Sequence, residues 1–212
     1  MPTQYQIIPV LIADDHEVTR KGIRHCLDQT PDIKVVGEAQ NGDEIKQWVP
    51  ALRPQILLLD LIMPNLSPSE LEKWVRTNYP ETITLVLTAH DRDAYLSSMI
   101  EAGVSGYLDK KLRAAQLISA IRRAASGECI LDKDQLERAR RWREDVSRKW
   151  ASLSSREREV LQTLTEGAEN KTIAMFLGIT VNTVEKHLDN IYKKLDVTSR
   201  SEAIHWWVEK RT

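Results

Sequence analysis

The chain has 212 residues, 42% of them hydrophobic and 29% charged, with 30 Lys and Arg against 31 Asp and Glu. That allows one large domain or two small ones with real cores, while the apolar runs are strand-sized, far short of the ~20 residues a membrane-spanning helix needs. Nothing at the start reads as a basic region followed by an apolar signal core, so no membrane association and a cytoplasmic location are expected. Two cysteines, Cys26 and Cys129, without CxxC or Cys/His spacing, argue against a disulfide framework or a zinc site. Residues 1–131 carry 14 Lys and Arg against 17 Asp and Glu, residues 132–150 seven against five, and residues 151–212 nine against nine. Any basic patch for nucleic acid must therefore be local.

Ile7 to Ala13 is an apolar run ending on Asp14 and Asp15, and a helical pattern follows through Val18, Ile23, Cys26 and Leu27. Ile33 to Val36 reads as a second strand, with Gly37 and an Asn41-Gly42 turn signal before a short helix containing Ile45, Trp48 and Val49. Ile56 to Leu59 is apolar throughout, the pattern of a strand buried on both faces, and it ends on Asp60. Leu71, Trp74 and Val75 mark a helix, Ile83 to Leu87 a fourth strand ending on Thr88, and Tyr95, Met99 and Ile100 a fourth helix. Val104 to Leu108 is a short fifth strand before Lys110 and a helix through Leu117, Ile118 and Ile121. Five strands alternating with helices predict a doubly wound parallel sheet.

In such a sheet ligands bind outside the carboxyl ends of the strands, where Asp14, Asp15, Asp60, Thr88 and Lys110 all fall. Ionised carboxylates sharing a crevice need a cation, and hard oxygen ligands around an open position suit Mg²⁺, which keeps waters and meets a phosphate. Lys110 adds a point charge for that phosphate, and Thr88 a hydroxyl. His16 and His90 read as polar rim residues rather than ligands.

The motifs ADDH (Ala13 to His16), LLLDLIMP (Leu57 to Pro64), LTA (Leu87 to Ala89) and GYLDK (Gly106 to Lys110) resemble the receiver domain of two-component response regulators, a flavodoxin-like fold. The resemblance runs from about Ile8 to Ser126. It implies that Asp60 accepts a phosphoryl group from a partner histidine kinase, with Mg²⁺ held by Asp14, Asp15, Asp60 and the main-chain carbonyl of Ile62. It also implies that Thr88 and Tyr107 report phosphorylation to the surface. Such a protein is not an enzyme beyond phosphoryl transfer and its own dephosphorylation. Two departures stand out: Asn65-Leu66-Ser67-Pro68 replaces a Gly-containing turn, and the apolar Ile62 is expected to slow hydrolysis by hindering attacking water. An aspartate-based phosphatase is the competing reading, but those enzymes resemble DxDx[TV], and Leu61 and Ile62 follow Asp60 here.

Residues 130–150 form the predicted joint. Leu136, Ala139, Trp142, Val146 and Trp150 fall in an arc of about 120° at 100° per residue, an amphipathic helix that docks on its own domains or dimerises. Beyond it, Ser154 and Glu157 form a capping box ahead of Val160, Leu161 and Leu164, and Gly167 stops that helix. A short helix through Ile173, Ala174 and Phe176 ends at Gly178, with Glu169 and Thr172 in reversed capping-box order at its start. Thr180 caps a third helix with an apolar face of Val184, Leu188, Ile191 and Leu195. A fourth, from about Ser199, carries Ala203, Ile204, Trp207 and Val208. Helix, Gly-containing turn and helix predict a helix-turn-helix in a small all-α domain.

LSSREREVLQ (Leu153 to Gln162), NKTIA (Asn170 to Ala174), LGIT (Leu177 to Thr180), NTVEKH (Asn182 to His187) and YKKLDV (Tyr192 to Val197) resemble the LuxR/FixJ (NarL) type of DNA-binding domain. The implied layout is a receiver over 1–129, a helical linker over 130–150 and a DNA-binding domain over 151–212. The function implied is a transcription regulator that binds double-stranded DNA as a homodimer on phosphorylation, with Thr180 to Leu195 as recognition helix. The residues expected at DNA are Lys171, Asn182, Thr183, Glu185, Lys186, Lys193 and Lys194. Lys186 suits guanine, Glu185 cytosine N4, and Lys193 and Lys194 phosphates. The alternative is a protein-interaction module with weak or no DNA binding, suggested by the balanced charge of residues 151–212.

Overall fold

The computed structural model describes residues 7–211 of the chain, which pack as two compact units divided between Ala139 and Arg140. The first is built on the strands the apolar runs predict: β1 (Ile8–Ala13), β2 (Ile33–Ala39), β3 (Ile56–Leu59), β4 (Ile83–Thr88) and β5 (Gly106–Asp109). All neighbours are parallel, in the order β2-β1-β3-β4-β5. Parallel neighbours need crossovers. These are α1 (Glu17–Asp28), α2 (Gly42–Leu52), α3 (Pro68–Asn78) and α4 (Asp93–Ala102), and α5 (Ala114–Ala125) follows β5.

Alternation along each strand divides the core between the two sheet faces. Leu57 and Leu59 of β3 pack with Ile45, Leu71, Val75 and Leu96 from α2, α3 and α4, whereas Ile56 and Leu58 pack with Leu27 of α1 and Leu117 and Ile121 of α5. One expected core residue lies elsewhere. Val18 is 85% exposed, and the buried position near the start of α1 is taken by Arg20.

The departure after Pro64 also has a structural answer. Asn65 adopts φ +54°, the left-handed region where a short polar side chain is the usual substitute for Gly. Across the gap stands Gly42, whose N–H donates to the Pro64 carbonyl at 3.0 Å. A Cβ there would stand 2.1 Å from the Asn65 carbonyl oxygen.

The division between the units falls inside α6 (Lys133–Ser152). Its start belongs to the first unit: Ala139 is fully buried with Leu96, Met99 and Tyr107, while Leu136, expected on the apolar stripe, is exposed. Its end belongs to the second, where Val146 and Trp150 pack against the core of α7 (Ser155–Thr165), α8 (Asn170–Leu177), α9 (Val181–Leu195) and α10 (Arg200–Arg211). Ser154 and Glu157 form the expected capping box, and Thr180 accepts from the Thr183 N–H. Glu169 makes no side-chain cap, so the reversed box at α8 does not form. Phe176 and Val208 are exposed, and on α10 the buried partner of Ala203 is Trp206.

One buried acid stands apart from the core chemistry. Glu72 of α3 is 1% exposed, and neither carboxylate oxygen has a hydrogen-bond partner. Burial pushes its carboxyl above the usual glutamate range, against smaller opposing pulls from Thr84 and Arg76. A folded-state pKa above the unfolded one stabilises below the unfolded value and is lost as pH rises through the folded value. Glu72→Gln should therefore be more stable than the parent at pH 7, with the difference closing towards pH 4. Urea titrations across that window check it; a constant difference at all pH values would mean the carboxyl titrates alike in the folded and unfolded chain, so that burial does not raise it.

Candidate functional site

Asp14 follows β1 and Asp60 follows β3, strands that pair directly, with the Asp60 N–H donating to the Ala13 carbonyl at 2.9 Å. This is where the sheet order reverses: from β1 the chain passes to β2 at one edge, and from β3 it continues to β4 on the other side. The helices therefore diverge and leave a crevice, at whose floor Asp14 is 2% and Asp60 4% exposed.

Two carboxylates so deeply placed need a countercharge. The Lys110 ammonium supplies it from just past β5, 2.7 Å from Asp14 Oδ2 and 2.6 Å from Asp60 Oδ2. Burial alone would lower the Lys110 pKa, but its bonds to Asp14 and Asp60 outweigh that and hold it above the usual lysine value. The Leu61 N–H donates to Asp60 Oδ1 at 2.8 Å, and the His16 N–H donates to Asp14 Oδ1 at 2.8 Å. Asp15 is at the rim, with His16 Nδ1 2.7 Å from its Oδ1. Ligating atoms of Asp14, Asp15, His16 and Asp60 all lie within 4.8 Å of one another. Ile62 is 42% exposed just beyond.

Thr88 and Tyr107 meet on one residue. Thr88 Oγ1 accepts from the His90 N–H at 3.1 Å, and the Tyr107 hydroxyl donates to the His90 carbonyl at 3.0 Å. Tyr107 is 3% exposed, and burial raises its phenol well above the usual range. The start of α6 closes over the same loop. Gln135 Nε2 donates to the Tyr107 carbonyl at 2.8 Å, and Arg138 donates to both Asp91 and Asp93. Neither Gln135 nor Arg138 was singled out by the sequence, since polar residues beside an amphipathic stripe look like solvated flank.

On the second unit the exposed side of α9 carries Asn182, Glu185, Lys186 and Lys193, and Lys171 is exposed on α8. Thr183 is partly withdrawn, its hydroxyl 2.8 Å from that of Thr180. Lys194 has a partner within its own unit. Its ammonium sits 2.7 Å from Glu157 Oε2, whose side chain is 5% exposed, and joins the α7 capping box as an ion pair. Burial would raise the Glu157 carboxyl, and Lys194 with Ser154 outweighs it and holds the group low.

A doubly wound sheet with acids and a lysine converging at its switch point, ahead of a helix-turn-helix, defines a phosphorylation-type signalling domain joined to a DNA-binding one. Residues 10–122 match the response regulator receiver domain and residues 151–207 the luxR family of bacterial regulatory proteins. The chain belongs to the response regulators that combine these two domains, a family of transcription regulators rather than enzymes. It is 38% identical to the transcriptional regulatory protein LiaR of Bacillus subtilis over 201 residues, covering 93% of this chain and 95% of that protein. It is 32% identical to the response regulator VraR of Staphylococcus aureus, covering 93% and 94%. Among solved structures it is similar to the RcsB–DNA complex, with a TM-score of 0.66 and 25% identity over 96% of this chain and 98% of that one. It is also similar to RcsB of Salmonella enterica serovar Typhimurium bound to promoter DNA in the presence of the phosphomimetic BeF₃⁻, with a TM-score of 0.63 and 25% identity over 94% and 99%.

Among the described residues Lys110 alone pairs with both buried acids, so its loss leaves two carboxylates opposed in a low-dielectric site. Lys110→Met should cost about 3 kcal/mol in urea unfolding. Adding Asp60→Asn should restore most of that, because it removes one of the two charges left unpaired. Additive losses in the double variant would show that Lys110 stabilises by packing.

Proposed function

We propose that Asp60 is the acceptor of a phosphoryl group from the phosphohistidine of a partner kinase, and that the modified protein binds promoter DNA as a dimer. The observation that carries this is the grip of Asp14 and Asp60 on one lysine ammonium at the switch point of the sheet. In the transfer an Asp60 carboxylate oxygen attacks phosphorus and the P–N bond breaks. Its electron pair leaves on the imidazole nitrogen, which takes up a proton. The residues that would hold Mg²⁺ are Asp14, Asp15, Asp60 and the Ile62 carbonyl. Their oxygen donors fit a hard divalent cation, which neutralises phosphoryl oxygens when bound. Lys110 is placed to exchange one Asp60 oxygen for a phosphoryl oxygen, and the Thr88 hydroxyl to leave the His90 amide for the same group.

That exchange frees the loop to which Tyr107 and Arg138 are tied. The phosphoryl group biases an existing equilibrium only by its differential affinity for the two arrangements. α6 starts on this loop and ends in the core of the second unit, so it is a continuous element for the signal to act on. The RcsB complex formed with a phosphomimetic and promoter DNA supports coupling of the same two events here.

Asp60 is the only acid at the end of the central strand. Incubation with acetyl phosphate and Mg²⁺ should add one phosphoryl group to the parent and none to Asp60→Asn, read as intact mass. An adduct of similar yield on the variant would move the acceptor elsewhere.

At DNA, base contacts specify and phosphate contacts position. Lys186→Ala should cost about 1 to 3 kcal/mol on the best site and flatten preference among sites, whereas Lys193→Ala should weaken all sequences alike and reduce the salt slope by about one. Lys194→Ala should act on stability through Glu157. Titrations of phosphorylated protein at several salt concentrations decide this, and salt-independent binding would favour the protein-interaction alternative.

A further inference from the structure

Asp14 and Asp15 are consecutive, so the single peptide group between them governs where both carboxylates point. On its amide-preceding side the Asp14 N–H is anchored by the Ala39 carbonyl of β2 at 3.1 Å. Its carbonyl lies past the end of β1, and in place of a strand partner it accepts from Arg20 Nη1 at 2.7 Å in a fully buried bond. Arg20 is 5% exposed on α1 and occupies the helical stripe that continues to Ile23 and Leu27. Its other edge is held by Glu38 of β2, with Nε 3.2 Å from Oε2, while Arg24 Nε donates to Glu38 Oε1. Burial would raise the Glu38 carboxyl, but Arg24 and Arg20 outweigh it and keep the group ionised and anchoring.

We propose that Arg20 is a positioning residue for the divalent-cation site, fixing the Asp14–Asp15 peptide through Nη1 while Glu38 holds the opposite edge of its guanidinium. The proposal rests on the reading of Asp14 and Asp15 as metal ligands. A fork with two donor directions is needed, since one bond sets the peptide plane and the other sets the fork. Lysine has the charge without that geometry.

Electrostatics and positioning predict opposite signs. A guanidinium beside a cation site repels the cation, so removing Arg20 while Glu38 stays would tighten metal binding if charge alone mattered. If Arg20 holds the peptide, its removal lets both carboxylates reorient and binding weakens. Partners that orient metal ligands are typically worth about ten- to a hundredfold in affinity.

The test uses the full chain with Mn²⁺ as probe and electron paramagnetic resonance to count the free ion. The parent should bind Mn²⁺, and Asp14→Asn with Asp15→Asn should abolish it; failure of this control would overturn the metal reading and this proposal with it. Arg20→Gln should raise the Mn²⁺ dissociation constant about tenfold or more, and Arg20→Lys should not restore it. The double variant Arg20→Met with Glu38→Met removes both members of the pair and leaves the partly exposed Arg24 to water, which preserves stability better than removing Arg20 alone, and its dissociation constant should stay high. Glu38→Gln leaves Arg20 in place and is the mildest change; it should raise the constant by a smaller factor and reads the anchor if the others fail to fold. With the control satisfied, a constant unchanged or lowered in any folded variant lacking Arg20, or unchanged in Glu38→Gln, overturns the proposal.

Discussion

Two carboxylates and one ammonium share the floor of the crevice, and most of the first unit is arranged to tolerate that. Isolated charges with so little water would neutralise by shifting protons or destabilise the fold. Lys110 bridges Asp14 and Asp60 because β1, β3 and β5 run parallel, which puts their carboxyl ends at one edge of the sheet. An antiparallel sheet would send alternate strand ends to opposite edges. The reversal of strand order then opens the crevice between diverging helices. Fold and site are thus one constraint seen twice.

The parts legible in the sequence were those where a single residue pattern has a single physical cause. A four-residue apolar run, Ile56 to Leu59, has to be covered on both faces, and it is. Polar residues ending such strands have to gather at one edge, and Asp14, Asp60, Thr88 and Lys110 do. What stayed hidden were side chains acting at long sequence separation. Arg20 stands on the apolar stripe of α1, and a charge on such a stripe was the available signal for a buried partner. Its partner Glu38 lies on another element and could not be paired from spacing. The ion pair of Lys194 with Glu157 could not be read from the sequence either, because it depends on the packing of α7 on α9. On α10 both Trp206 and Trp207 pack on the core of the second unit, and the neighbouring helices make Trp206 the more deeply buried of the two.

α6 shows why an amphipathic stripe is a weaker guide than a strand. The stripe is real, but it serves two cores in succession, Ala139 in the first unit and Val146 with Trp150 in the second. Neither core needs its full length. The interior of the helix is correspondingly rich in charge, and the cation that matters most for the first unit, Arg138, lies beside the stripe and reaches Asp91 and Asp93. Tyr107 and Arg138 are bonded to the loop of His90 and Asp91 and Gln135 ties the helix start to the Tyr107 carbonyl, so loop and helix start move together or not at all.

The convergence of Thr88 and Tyr107 on His90 suggests how a small chemical change becomes an all-or-none one. The His90 N–H is held by Thr88 and its carbonyl by Tyr107, so a displacement of either atom tilts the same peptide neighbourhood. In the proposed cycle Asp60 passes from a carboxylate with one negative charge to an acyl phosphate with about two, while Lys110 still faces Asp14. Reversing a population from 1:99 to 99:1 takes about 5.5 kcal/mol of differential binding. One charge-assisted hydrogen bond contributes about 1.5–3 kcal/mol, so neither Lys110 nor Thr88 alone supplies enough. Both contacts together reach that scale only if the loop moves as a unit, and its tethers to Tyr107 and α6 are what make it one.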